Sequence, residues 1–380
     1  MSVNPHTAIT ISTGAIRRNC ESLSLKIGPA VDITFVAKSN AMGYGLIEST
    51  KQALRGGARR IAVSDVNDVS ILRDNGITAS IILLYHPLPD ASTVAIHHGV
   101  TISISNPVSL LSLEKLARKL RKTVSVDLFF DTGMKRYGID PNYIPELIRT
   151  LQKTSNIRVA GISSHFATSD SDIQFAKKQL TCFHKILVRL HPVINRTVRD
   201  IHIANSAAVE LLPDSWNSQN VLKLYPNARM SVRIFRAVVG ASPVRMQPPL
   251  EPAFVSFTSV VQTTQRVKKG EYIGYDKSYQ AKRDLNVAIV PVGWANAGYQ
   301  LQRGYVIVNN VKCPMVGFPS ANALSFENLA GAKEGDIVYL VKQDGLGEQL
   351  TLQELAEING ITQTHITAAL GAFNPRFYRE

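Results

Sequence analysis

The sequence is short of cysteine, tryptophan and charge, and it has no long hydrophobic run. Of 380 residues, three are cysteine and two are tryptophan. Cys20, Cys182 and Cys313 are scattered, with no CxxC pair and no zinc-type spacing, so neither a disulfide scaffold nor a metal site is expected. A reducing cytoplasm is the expected compartment. Charged residues make up 19% of the chain and apolar residues 45%, which excludes intrinsic disorder. The longest apolar runs, such as residues 81–85, fall far short of the ~20 residues a bilayer requires, so no membrane span is expected. Residues 1–13 carry no basic region followed by an apolar stretch, and hence no secretory signal is expected.

The chain does have length, a charge of +13 and a strong alternation of segment types. At roughly 150 residues per domain the length fits two or three domains. The positive excess fits nucleic acid, an anionic membrane surface or an anionic ligand, and composition alone does not choose among them. Eight short apolar runs recur over the first 240 residues, at 33–37, 61–64, 80–85, 101–105, 124–130, 159–163, 200–204 and 230–235. Most are continuously apolar, as strands buried on both faces of a parallel sheet are. Between them lie amphipathic stretches at 15–27, 48–55, 66–75, 107–122, 143–153 and 172–190. Count and length predict an α/β fold, a (β/α)8 TIM-type barrel, with a doubly wound sheet as the alternative. The pattern changes after Pro243. A breaker-rich stretch at 248–252 precedes strand-like runs at 254–262, 287–291, 305–308, 312–316 and 336–341 and a helix at 352–358. The expected domains are therefore a barrel over 1–243 and a mostly-β domain over 244–380, which the first few residues of the chain are free to join.

Barrel enzymes place their chemistry at the C-terminal ends of the strands. The polar residues that close the runs are Lys38, the stretch from Asp131 to Arg136, His165, Asn205 and Ser206, and Arg233 lies within the last run. A lysine at the end of a buried strand is partly desolvated, which lowers its pKa and frees its amine to form a Schiff base with an aldehyde. Pyridoxal 5′-phosphate (PLP) is the commonest aldehyde cofactor held in this way. Each residue also has a structural alternative. Asp131 can start a turn, His165 can be a satisfied core histidine, and Ser206 can cap a helix. A buried Arg233 requires an acceptor or an anion.

Eight stretches taken in order carry a family resemblance. Residues 36–45, VAKSNAMGYG, resemble the lysine motif of the alanine racemases. Residues 131–138, DTGMKRYG, residues 164–168, SHFAT, residues 202–208, HIANSAA, and the pair 231–233 and 240–243 resemble further motifs of the same family. In the second domain GYDKSY at 274–279 and NPRFY at 374–378 do so too. The resemblance implies a PLP-binding barrel, a C-terminal β domain and a homodimer with shared active sites. It implies that Lys38 binds PLP and acts as one catalytic base, and that Tyr275 of the partner subunit is the other. Arg233 then faces the pyridine nitrogen, supported by His165. Arg136 contacts the cofactor's phenolic oxygen and the substrate carboxylate, and Asn205, Ser206, Phe235 and Thr364 lie on the cofactor. Ala321 and Asn322 lie near the substrate. The activity implied is interconversion of L- and D-amino acids.

The departures from the family gather around phosphate and substrate. Met42 and Thr364 stand where tyrosines are usual, Ile234-Phe235 replaces Pro-Gly, and Phe129 replaces a lysine that orients the arginine. Residues 293–297 and 320–322 also differ. Three explanations follow: a racemase acting on alanine or a larger amino acid, a PLP-binding homologue with little activity, or a basic nucleic-acid binder. The strongest basic stretch, Lys115 to Lys122, has leucines at helical spacing and reads as a solvated outer face. Neither nucleic acid nor membrane is therefore an expected partner.

Overall fold

The β-branched apolar runs become eight parallel strands, Val31–Val36, Ala58–Val63, Ser80–Leu83, Thr101–Ile104, Val124–Phe129, Ile157–Ser163, Asp200–His202 and Arg229–Ile234. They close into a barrel in sequence order. The closure pairs the first strand with the eighth, Thr34 opposite Arg233. The computed structural model describes residues 6–297 and 301–380; residues 1–5, part of the stretch searched for a secretory signal, lie outside it. The doubly wound alternative is excluded by the closed order of strands.

The helices follow their end signals. Val66–Asp74 opens on Asp65, whose Oδ1 accepts the Asn67 N–H at 2.8 Å. Ile173–Ile194 opens on Asp172, which accepts from Phe175 at 3.0 Å. Val108–Leu120 stops at Arg121 in the left-handed region (φ 53°). The helix Pro89–His97 is not foreseen in the sequence reading; Pro89 takes its first turn, where the missing N–H costs nothing. Among the described residues no helix is long and apolar enough to cross a membrane.

The chain forms two compact units, and neither is a single stretch of sequence. The barrel unit comprises Ile16–Lys38 and Leu46–Glu251, so it runs past the boundary drawn at Pro243 and ends inside the breaker-rich stretch. The other unit comprises the chain up to Ala15, Ser39–Gly45 and Pro252–Glu380. Its main sheet orders the strands Val311–Pro314, Tyr305–Val308, Ile337–Lys342, Phe254–Val260, Thr7–Ser12 and Arg376–Arg379. A three-stranded sheet joins Thr263–Val267, Leu285–Val290 and Leu324–Glu327, and the helices Leu352–Asn359 and Gln363–Phe373 complete the unit.

The segment Ser39–Gly45 carries the most unusual backbone. Ser39, Asn40, Ala41 and Met42 are all left-handed, with φ between 49° and 54°. That conformation costs roughly 1–2 kcal/mol per residue with a Cβ. The turn is closed by Gly43 N–H and Gly45 N–H donating to Asn40 O, and by Tyr44 N–H donating to Ala41 O. Tyr44, fully buried, meets Phe254 edge-on at 6.0 Å. Gly43 lies so close to the helix Gln363–Phe373 that a Cβ would fall 1.9 Å from the Thr367 carbonyl oxygen.

Candidate active site

The C-terminal ends of the barrel strands gather cations. Lys38 follows the first strand, Arg136 lies in the loop after the fifth, His165 follows the sixth, and Arg233 is on the eighth. Burial, with the charges of Arg136 and Arg233, pulls the Lys38 ammonium below its ordinary pKa. Burial and the same cations, with Lys38, hold His165 well below the usual imidazole range. Lys38 and Arg136 make no hydrogen bond or ion pair among the described residues, so both heads are available to a ligand.

Arg233 is the fixed point of the site. It is buried, yet its guanidinium is well supplied. Nη2 donates to Ser164 O at 3.1 Å and to His165 Nδ1 at 2.9 Å, and Nη1 donates to His202 Nδ1 at 3.2 Å. An arginine only donates, so both rings accept at Nδ1 and carry their proton on Nε2. Nε–H is left uncommitted among the described residues. The ring of Phe129 lies 5.8 Å from the guanidinium carbon, a cation–π contact.

Asp131 organises the arginine loop rather than capping a helix. Its Oδ1 accepts from the N–H groups of Gly133, Met134 and Lys135 at 2.8, 2.9 and 3.2 Å. This fan holds the carboxyl below its ordinary pKa against the opposing effect of burial. The cap expected of Ser206 belongs instead to Asn205, whose Oδ1 accepts from Ala208 N–H at 3.1 Å and from Ser169 Oγ at 2.8 Å. Ser206 is buried and its Oγ accepts from Ala237 N–H at 3.2 Å. Phe235 is buried against Phe35, ring centroids 6.1 Å apart.

The remaining candidates belong to the other unit. Tyr275 is 70% exposed, on the tight turn Tyr275–Lys277 between the short strands Tyr272–Ile273 and Tyr279–Gln280. Thr364 lies in the first turn of Gln363–Phe373. Ala321 is half-buried and Asn322 exposed. The backbone at Ala321 is pinned to the turn Trp294–Ala297, with Trp294 N–H donating to Ser320 O at 3.0 Å and Ala295 N–H to Ala321 O at 2.9 Å.

Sequence reasoning missed a polar layer inside the barrel. Asp127, Asp200, His202, Ser163 and Ser231 are all buried. Arg60 on the second strand bonds Asp200 on the seventh at 2.5 Å, a contact between non-adjacent strands that can only cross the interior. The available signal was a charged residue within an apolar run, as in VSVDLF at 124–129.

Two family models match the chain, the alanine racemase N-terminal domain over residues 11–221 and the alanine racemase C-terminal domain over 254–378. The alanine racemase of Nitratidesulfovibrio vulgaris is 31% identical over 98% of both chains, and that of Symbiobacterium thermophilum is 28% identical over 97% of this chain and 96% of its own. A crystal structure of alanine racemase from Bacillus anthracis with bound L-Ala-P has a TM-score of 0.87 at 28% identity, covering 100% of this chain and 96% of that one. The Bartonella henselae enzyme with covalently bound pyridoxal phosphate shares the fold, with a TM-score of 0.84 at 23% identity over 99% of this chain and all of its own. Two family models that together span nearly the whole chain place it in the alanine racemase family.

Proposed function

We propose that this protein is a PLP-dependent amino-acid racemase with alanine as its default substrate. The observation that carries the proposal is the strand-end cluster: a desolvated Lys38 with no partner among the described residues, the cation Arg136, and a rigidly held Arg233 with a donor to spare. This donor set fits an anionic aldehyde. Lys38 would supply the amine that holds it, Arg233 would donate to its pyridine nitrogen, and Asn205, Ser206 and Phe235 would hold its phosphate; Thr364 is a further candidate cofactor contact by the family resemblance. When bound, PLP supplies an electron sink that acidifies the substrate α-hydrogen. Because arginine keeps its proton, Arg233 would leave a bound pyridine nitrogen unprotonated and the sink weak, which would disfavour side reactions. Arg136, which has no ion-pair partner among the described residues, would bind the substrate carboxylate, and Ala321 and Asn322 are further candidate substrate contacts by the family resemblance.

Racemisation requires a base on each face of the reacting carbon, one to remove the proton and one to return it. Lys38 serves one face and Tyr275 of the partner subunit the other, so the working unit is a homodimer. The exposure of Tyr275 on a projecting turn supports a role outside its own subunit.

Mixing the protein with PLP is expected to give a yellow species that Lys38→Ala abolishes, and a chain that stays colourless would exclude PLP. Solvent deuterium exchange at Cα, measured across a panel of amino acids, then identifies the substrate. A PLP-binding homologue with little activity is the alternative, favoured by Phe129 lying against Arg233 where a lysine would orient Arg136. Absorbance without exchange on any amino acid would establish it.

A further inference from the structure

His202 lies entirely inside the barrel and reaches in two directions. Its Nδ1 accepts from Arg233. Its Nε2 stands 3.6 Å from Asp127 Oδ1 and 3.6 Å from Asp200 Oδ2. Nε2 and these two carboxylate oxygens are buried and have no hydrogen-bond partner, 3.6 Å being an ion-pair separation rather than a hydrogen bond. Since Arg233 can only donate, the ring's single proton belongs on Nε2, between two carboxylate oxygens that can only accept. The carboxylates are themselves anchored. Asp127 Oδ2 accepts from Ser103 Oγ at 3.1 Å and Ser163 Oγ at 2.5 Å, and Asp200 Oδ1 accepts from Ser231 Oγ at 2.7 Å and is ion-paired with Arg60. With Asp32 on the first strand 3.3 Å from Arg60, seven of the eight strands, all but the third, contribute to one linked set.

The charges in this set balance without the histidine. Arg60 and Arg233 face Asp127 and Asp200, and buried Asp32, which Arg60 also meets at 3.3 Å, is matched by Arg59 and Arg229 at 3.3 and 2.9 Å; a neutral His202 therefore needs no further counter-charge, and a protonated one adds a charge where water is scarce. A buried carboxylate beside an imidazole sets which ring nitrogen keeps the proton.

We propose that His202, with its Nε2–H facing the carboxylates of Asp127 and Asp200, is a positioning residue that fixes the guanidinium of Arg233 at the barrel mouth. The proposal rests on the cofactor role given to Arg233 above. Its consequence is that the donor aimed at the cofactor is set from inside the barrel, by residues that touch neither cofactor nor substrate.

Two measurements on the full-length protein test it. The first is nitrogen-15 NMR of histidine-labelled protein without PLP. His202 is expected as the neutral Nε2–H form from pH 8 down to about pH 5; an Nδ1–H or charged ring at pH 7 overturns the proposal whether or not PLP binds. The second compares His202→Leu with His202→Gln for PLP affinity and visible absorption maximum. Leucine cannot accept from Arg233 and is expected to weaken PLP binding about tenfold and shift the band, as loss of an outer partner does. Glutamine accepts through its carbonyl and is expected to recover most of both. Equal behaviour of the two variants would reduce His202 to packing. Should the leucine variant not fold, the NMR result decides. If the wild type itself takes up no PLP, the proposed function fails separately.

Discussion

Arg233 turns a rule about one side chain into a pH dependence. It forces two imidazoles to stay neutral, and burial, foremost, holds His165 well below the usual range and lowers His202 to about 3. In the unfolded chain both protonate near 6.5, so on acidification the unfolded state takes up protons first. Their contribution to stability is complete above about pH 6.5 and is lost as pH falls from there, at roughly 1.4 kcal/mol per pH unit for each histidine. Urea unfolding at pH 7 and pH 5 should show this decline, and His202→Gln should make it shallower; equal declines would mean that His202 is not a source. At this scale the mouth was readable in the sequence, because Lys38, Arg136, His165 and Arg233 sit at or near the ends of apolar runs. The layer beneath it was not, because a run such as VSVDLF does not say that Asp127 turns inward, nor that Asp200 and His202 meet it from another strand.

Among the elements, the left-handed turn from Ser39 to Met42 is the one most exposed to single changes. Gly43 is at φ +92°, and a Cβ there would overlap the Thr367 carbonyl. Backbone atoms cannot swing aside as a side-chain tip can, so Gly43→Ala is expected to lower stability by about 2 kcal/mol or more. Thermal unfolding of the variant checks this, and a change under half that size would show that the helix Gln363–Phe373 gives way. All eight barrel strands were legible because burial on both faces leaves a continuous apolar signature. The strand Thr263–Val267 was not: four of its five residues are exposed, so its alternation is faint. The helix Gln363–Phe373 was missed because its residues, QTHITAALGAF, mix β-branched and small types without a clear polar face.

At the scale of the whole molecule, the shared sites proposed above would make activity a property of two chains. Lys38→Ala and Tyr275→Phe should each be inactive alone. Mixed and allowed to exchange subunits, they should regain part of the activity, since one site of each mixed dimer then holds both intact residues. Failure to complement, with mixed dimers demonstrated by mass spectrometry, would return Tyr275 to its own subunit or remove it from the reaction.

The charge of +13 is not spread evenly. The barrel unit holds 30 Lys and Arg against 18 Asp and Glu, and the other unit 12 against 11. Nearly all of the field therefore comes from the unit that carries Lys38, Arg136 and Arg233. A doubly charged phosphate ester approaching from solution is drawn toward that unit before it touches any residue. The association rate of PLP should then fall steeply as salt rises toward 1 M, where the screening length shrinks to about 3 Å, while its dissociation rate changes little. Stopped-flow absorbance at several ionic strengths separates the two; a steep fall in the association rate alone would assign the surplus lysines and arginines of the barrel unit to capture speed rather than contact.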